Sequence, residues 1–111
     1  MPRRGDVWIV DFDPVVGHEQ AKQRPALVVS VDGFNNSPAG LLTVLPITSK
    51  ARPLPSRIEI RPPEGGLATV SYVIGEQVRT VSTKRLGRQL GAVAPHTLRQ
   101  VEFVLRTLLG L

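Results

Sequence analysis

The sequence predicts a mainly β fold: five to seven short, mainly antiparallel strands in a curled sheet or small barrel, closed by a C-terminal α-helix. Three observations carry that expectation. Glycine and proline number ten each in 111 residues, and such dense punctuation suits short strands better than a helical bundle. The segments between them are rich in β-branched and aromatic residues. Finally, residues 94–111 change from strand-like patterning to helical period.

Each element has its own signal. Residues 7–12, VWIVDF, follow the turn pair Gly5-Asp6 and read as a strand. Asp13-Pro14 ends it, and a polar loop runs on to Arg24. PALVVSV at 25–31 is a second strand, and its near-continuous apolarity implies burial on both faces. DGFNNSP is a turn, read as one short helical turn capped by Asp32. LLTVLPIT at 41–48 is a third strand, in which Pro46 argues for an edge or a bulge near the end. SKARPLPS is a basic, Pro-broken, mobile loop. RIEI at 57–60 alternates and reads as a half-exposed strand, and PPEGG at 62–66 is a tight turn. ATVSYVIGEQVRTV at 68–81 reads as one or two strands, with Gly75 marking a bulge or a close backbone approach. In the last segment Leu98, Val101, Val104, Leu105, Leu108 and Leu109 fall at helical spacing behind Pro95, which suits a first helical position.

The length fits a single domain spanning 1–111. A hydrophobic fraction of 41% and a charged fraction of 21% fit a folded chain, not a disordered one. There is no cysteine, so neither a disulfide frame nor a thiolate metal site is available. The N-terminus lacks a signal-peptide pattern, and no apolar run reaches membrane-spanning length. A soluble, cytoplasmic protein is the expectation. Lys plus Arg exceed Asp plus Glu by 14 to 9, for a net +5 and a pI near 10.8. That balance suits either a polyanionic partner such as nucleic acid or simply a basic surface.

The motifs narrow the chemistry. His18 and His96 are far apart, no H-E-x-x-H is present, and His18-Glu19 is not spaced for one metal, so no metal or other cofactor is expected. Ser30, Thr48 and Ser49 lack a G-x-S-x-G context, which disfavours covalent catalysis. RNA brings its own nucleophile, the 2′-hydroxyl. An enzyme then supplies a base, a fixed cation or donor set for the phosphorane, and an acid for the leaving 5′-oxygen.

GDVWIVDFDPVVGHEQAKQRPALVVS, then LPITSK, then GEQVRTVSTKRLG, then a helix ending LLGL, resembles the MazF/PemK/Kid family across essentially the whole chain. The resemblance implies the toxin of a type II toxin–antitoxin pair on an SH3-like barrel. It implies a metal-independent endoribonuclease acting on single-stranded RNA at short sequences, leaving a 2′,3′-cyclic phosphate and a 5′-hydroxyl. It also implies a homodimer and an antitoxin with an acidic, disordered tail. The rival readings are a non-cleaving SH3-like nucleic-acid binder and a gyrase-poisoning toxin on the same fold.

The resemblance assigns residues as well. Arg24, of the R-P dipeptide, matches the family's catalytic arginine; always charged, it suits a transition-state clamp and not a base. Thr48 matches the catalytic or phosphate-contacting threonine, with Ser49 assisting in binding. Glu19 is a base, a residue orienting Arg24, or an ion-pair partner shaping the loop. His18 and Gln20 are RNA contacts in the same loop, and the imidazole also suits proton transfer. Glu76 matches a carboxylate that is usually Asp. In the Kid-like branch that Asp works with an Arg two residues earlier, where this chain has Ile74. Gln77 and Arg79 hold the scaffold or line the groove. Lys50, Arg52 and Arg57 flank a loop suited to tracking phosphates. Stacking on bases is limited to Phe34, Tyr72 or Trp8, and Trp8 reads as core or dimer interface.

Overall fold

The computed structural model describes residues 1–12 and 22–111. Seven strands form the sheet: β1 (Asp6–Asp11), β2 (Gln23–Val28), β3 (Leu41–Thr48), β4 (Arg57–Ile60), β5 (Ser71–Ile74), β6 (Arg79–Ser82) and β7 (Leu86–Ala92). The described residues also form two α-helices, α1 (Asp32–Asn35) and α2 (Pro95–Leu109). The ladders, all antiparallel, run β4-β5-β3-β2-β1-β7, with β6 pairing β3 off that path. The fold is thus mainly β with a C-terminal helix. The sheet curls without closing, since no ladder among the described residues joins β4 to β7.

β2 explains the curl. Ala26, Leu27 and Val28 have no exposed surface. Leu27 belongs to one core cluster with Val7, Leu45, Ile47, Val73 and Val101. Ala26 and Val28 belong to another, with Val10, Phe12, Leu42, Val44 and Val81. Because successive side chains alternate faces, an unbroken apolar strand needs a core on each side, and the sheet supplies both. α2 covers the first core through Val101, with Val104 and Leu105 packed beside it. Pro95 stands in the first turn and Gly110 ends the helix in the left-handed region at φ 71°. No helix of the described residues is long and apolar enough to cross a membrane.

Several expectations are corrected. Gln23 and Arg24 are strand residues, opposite Asp11 and Val10, so β2 starts before Pro25 and ends at Val28. Asp32 is the first residue of α1 and does not cap it; Val31 holds the cap position without a side-chain bond. The Asp32 carboxylate instead accepts the Arg4 N–H at 2.8 Å. β3 is central, not an edge. Its residues 41–44 pair with β6 and 47–48 with β5. Pro46 falls in the gap between those ladders, where a missing N–H costs least.

Strand β7 is an element that the sequence did not suggest. It lies along β1 with two register shifts, and its glycines are required by close packing. A Cβ at Gly91 would sit 2.7 Å from the Gly65 carbonyl carbon. Gly75 likewise marks a close backbone approach, since a Cβ there would meet the Ser56 carbonyl oxygen at 2.6 Å.

Candidate active site

The β1–β2 hairpin fixes Arg24. Val7 to Asp11 pair in order with Leu27 to Gln23, which sets Ile9 opposite Pro25 and Val10 opposite Arg24. The Phe12 N–H donates to the Lys22 carbonyl at 2.7 Å and closes the end of the ladder. Arg24 therefore rises from hydrogen-bonded strand backed by buried Ala26 and Leu27, not from a loop tip. A strand holds a side chain more closely than a loop does.

Thr48 is the last residue of β3, opposite Tyr72, and only 6% exposed. Its Oγ1 accepts the Lys50 N–H at 3.2 Å. A hydroxyl that accepts from the following turn keeps its proton for another acceptor. The chain then turns out through Ser49 into the exposed residues 50–55.

Arg24, Thr48 and Ser49 come together in one pocket of about 320 Å³. Its walls include Ile9, Pro25 and Ile47 from the sheet, Gly66 to Thr69 and Ser71 from the turn and start of β5, and Arg88 and Leu90 from β7. Among the described residues, two guanidiniums and several hydroxyls line it, and no carboxylate or imidazole does. That donor set suits an anion such as a phosphodiester. A divalent cation would call for carboxylate oxygens. Among the described residues no three His, Cys, Asp or Glu side chains group to hold a metal ion.

The other sequence candidates lie apart from this pocket or outside the described residues. His18, Glu19 and Gln20 fall among the latter. Lys50 and Arg52 stand exposed on the loop leaving Thr48. Glu76 and Arg57 are committed to each other: Arg57 Nε and Nη2 donate to Glu76 Oε2 at 2.9 and 2.7 Å, and Ser56 Oγ donates to Oε1 at 2.6 Å. Arg57 lines a separate groove of about 630 Å³, between β4 and α2, with His96, Arg99 and Phe103. Gln77 sits in the turn after Gly75, its N–H donating to the Ile74 carbonyl at 3.2 Å. Arg79 lies over the Phe12 ring, 5.0 Å from the centroid, a cation–π contact that fits a scaffold role. Trp8 is half-buried against the second core and donates its indole N–H to Asp6 at 3.2 Å. Phe34 is half-buried on α1.

Burial raises the proton affinity of the Glu76 carboxyl, but the bonds from Arg57 and Ser56 outweigh it and hold the group below the usual carboxylate range. A depressed folded-state value stabilises the fold above the unfolded value, about 4.3, and that gain is lost as pH falls through the lower folded value. Glu76→Gln is therefore expected to cost about 1 kcal/mol at neutral pH, reduced by partial solvent exposure. In thermal melts the gap from wild type should close as pH falls below 4. A gap independent of pH would separate Glu76 from this ion pair.

Comparison with known proteins agrees with this geometry. Residues 3–109 match the family model described as PemK-like, MazF-like toxin of type II toxin-antitoxin system. The chain belongs to this family. It is 38% identical over 116 aligned positions to Endoribonuclease MazF9 of Mycobacterium tuberculosis, covering all of this chain and 98% of that protein. The crystal structure of MazF (Form-I) from Deinococcus radiodurans superposes with a TM-score of 0.86 at 30% identity, over 99% of this chain and 97% of that one. An endoribonuclease in complex with its cognate antitoxin, from a mycobacterial species, has a TM-score of 0.78 at 26% identity, over 99% and 94% of the two chains. Family membership covers the sheet, the pocket and α2 alike.

Sequence reasoning missed Thr69, Ser71 and Arg88 as lining residues. Ser71 begins β5 and donates its hydroxyl to the Thr69 carbonyl at 3.0 Å. Only pairing across the sheet brings it beside Thr48. Arg88 sits in LGRQLGA, where glycines hide the strand signal.

Proposed function

We propose that this toxin is an endoribonuclease that cuts single-stranded RNA in the Arg24–Thr48 pocket. The observation that carries the reading is the convergence of Arg24, Thr48 and Ser49, from β2, β3 and the turn after it, in one pocket. Relatives over the full chain carry the endoribonuclease name.

In this reading the scissile phosphate lies against Arg24. As the 2′-hydroxyl oxygen attacks phosphorus, negative charge grows on the non-bridging oxygens. The guanidinium offers several donors in fixed geometry where that charge develops. The Thr48 hydroxyl donates to one of the same oxygens. The bond to the 5′-oxygen then breaks, leaving a 2′,3′-cyclic phosphate and a 5′-hydroxyl. Arg24 stays protonated and cannot be the base. Glu76, held by Arg57, does not line this pocket, so the proton-transfer roles fall to Glu19 and His18. Lys50 and Arg52, on the loop running out from Thr48, track the phosphates downstream. No metal or other cofactor takes part. The purified protein should cleave single-stranded RNA in EDTA; cleavage that waits for added magnesium would overturn the metal-independent mechanism.

The active form is a homodimer, and the antitoxin is a small protein with an acidic, disordered tail that competes with RNA for the basic groove. Two features support a protein partner: the net +5 charge and the apolar residues that α2 leaves in solvent. Phe103 is 71% exposed, with Leu108 and Leu109 also open on that helix. Such exposed apolar surface marks interfaces. Sedimentation equilibrium should give twice the 12.1 kDa chain mass, and a monomer at assay concentration would refute the dimer.

A further inference from the structure

We infer that Arg88 is a substrate-binding residue that grips the RNA backbone at the phosphate next to the one held by Arg24. This rests on the ribonuclease reading of the pocket and extends it to a residue on a different strand.

The β1–β7 ladder delivers Arg88 to the site. Trp8 faces Gln89 and Val10 faces Leu86, so the single residue Ile9 stands against two, Gly87 and Arg88. That count defines a β-bulge, which re-aims a side chain and increases local twist. The crowding is visible: a Cβ at Gly87 would come within 3.3 Å of the Ile9 Cβ. Glycine at 87 lets the strands meet there, and the next residue, Arg88, enters the lining of the Arg24–Thr48 pocket.

Charge supports the same role. Most arginines whose contacts are resolved are engaged within the fold: Arg4 with Glu102, Arg57 with Glu76 and Arg61 with Glu59, and Arg85 with the Asp11 carbonyl. Arg88 is exposed and has no hydrogen-bond or ion-pair partner among the described residues. An arginine beside a second arginine, in a pocket whose described lining holds no carboxylate, suits an anionic ligand. In the sheet order β2-β1-β7, Arg88 starts two strands from Arg24, roughly 10 Å across at the usual strand spacing. Two long arginine side chains that line one pocket can lean together across that gap to meet neighbouring phosphates of one strand. Arg88 then holds the RNA while Arg24 meets the charge that develops.

The test measures binding and turnover separately. Binding is read by fluorescence anisotropy with a labelled 2′-O-methyl oligonucleotide, which lacks the nucleophile, across a salt series. Turnover is read with the matching ribo-oligonucleotide. Arg88→Ala should weaken binding about tenfold at low salt, the loss of one charge-assisted contact. It should also lower the slope of log Kd against log salt by about 0.7, the value for one phosphate on a single strand. KM should rise with kcat nearly unchanged. Arg88→Lys should restore the slope, and Arg88→Gln should not. Unchanged affinity and slope, a fall in kcat at constant KM, or no binding of the oligonucleotide by the wild type would each overturn the proposal. If the wild type binds but never cleaves, the ribonuclease reading fails, and the anisotropy series still decides the role of Arg88.

Discussion

Arg24→Ala is expected to lower kcat/KM for RNA cleavage by roughly a hundred- to a thousandfold, or about 2.7–4 kcal/mol of transition-state stabilisation, by analogy with a lost oxyanion donor. The loss should appear mainly in kcat, because the guanidinium matters most once charge builds on the phosphorane. Arg24→Lys should recover only part of it. An ammonium keeps the charge but loses the planar fork that spans two phosphate oxygens. The fold should survive, since Arg24 is only half-buried and its strand neighbours Ala26 to Val28 carry the packing. Melting temperature and single-turnover cleavage of the variants answer both points. A variant that folds and cleaves at full rate removes Arg24 from the mechanism.

Gly66→Ala is expected to cost about 3 kcal/mol or more of stability. Gly66 adopts φ +70°, and a Cβ there would lie 1.9 Å from the Leu90 carbonyl oxygen and 2.5 Å from its carbonyl carbon. The obstacle is backbone, so no rotamer change relieves it. Either the 62–66 turn or β7 must shift, and both Gly66 and Leu90 line the Arg24–Thr48 pocket. Melting should fall by more than about 10 °C in a domain of this size, with activity falling in step. Gly33→Ala is the control: a Cβ at Gly33 meets nothing within 4 Å, so that variant should melt within a degree or two of wild type. Equal melting of the two variants would contradict the close approach of β7 to the turn.

The strands with uninterrupted β-branched or alternating patterns were legible from sequence. VWIVDF, LLTVLPIT and RIEI became β1, β3 and β4 within a residue, because their side-chain pattern alone decides which face is buried. α2 was legible for the same reason, since its period of apolar residues matches one face of a helix. β7 was hidden because Gly87 and Gly91 carry no strand signal. Their purpose is fixed by neighbours far away in sequence, Ile9 and the Gly65–Gly66 backbone. The start of β2 was misplaced because Pro25 looks like a boundary. In fact it sits inside the ladder opposite Ile9, with Arg24 and Gln23 paired before it.

The site divides the same way. Arg24, Thr48 and Ser49 were nominated by the family resemblance, and pairing across the sheet brings them to one pocket. The motif also nominated Glu76, which the fold pairs with Arg57 and Ser56. Nothing in GEQVRT reveals that partner, because Arg57 comes from the opposite strand of the β4–β5 ladder. Arg88 was invisible for the converse reason: only the bulge opposite Ile9 gives it a place in the pocket.

In the proposed reaction this pocket cleaves RNA through the substrate's own 2′-hydroxyl, with Arg24 and Thr48 stabilising the charge. Mapping the ends produced from a defined single-stranded RNA in EDTA tests it most directly. The expected result is cleavage at discrete sites with 2′,3′-cyclic phosphate on one fragment and 5′-hydroxyl on the other, abolished in an RNA carrying 2′-O-methyl at the cut position. Fragments with 5′-phosphate and 3′-hydroxyl ends, or cleavage that survives the 2′-O-methyl substitution, would contradict it.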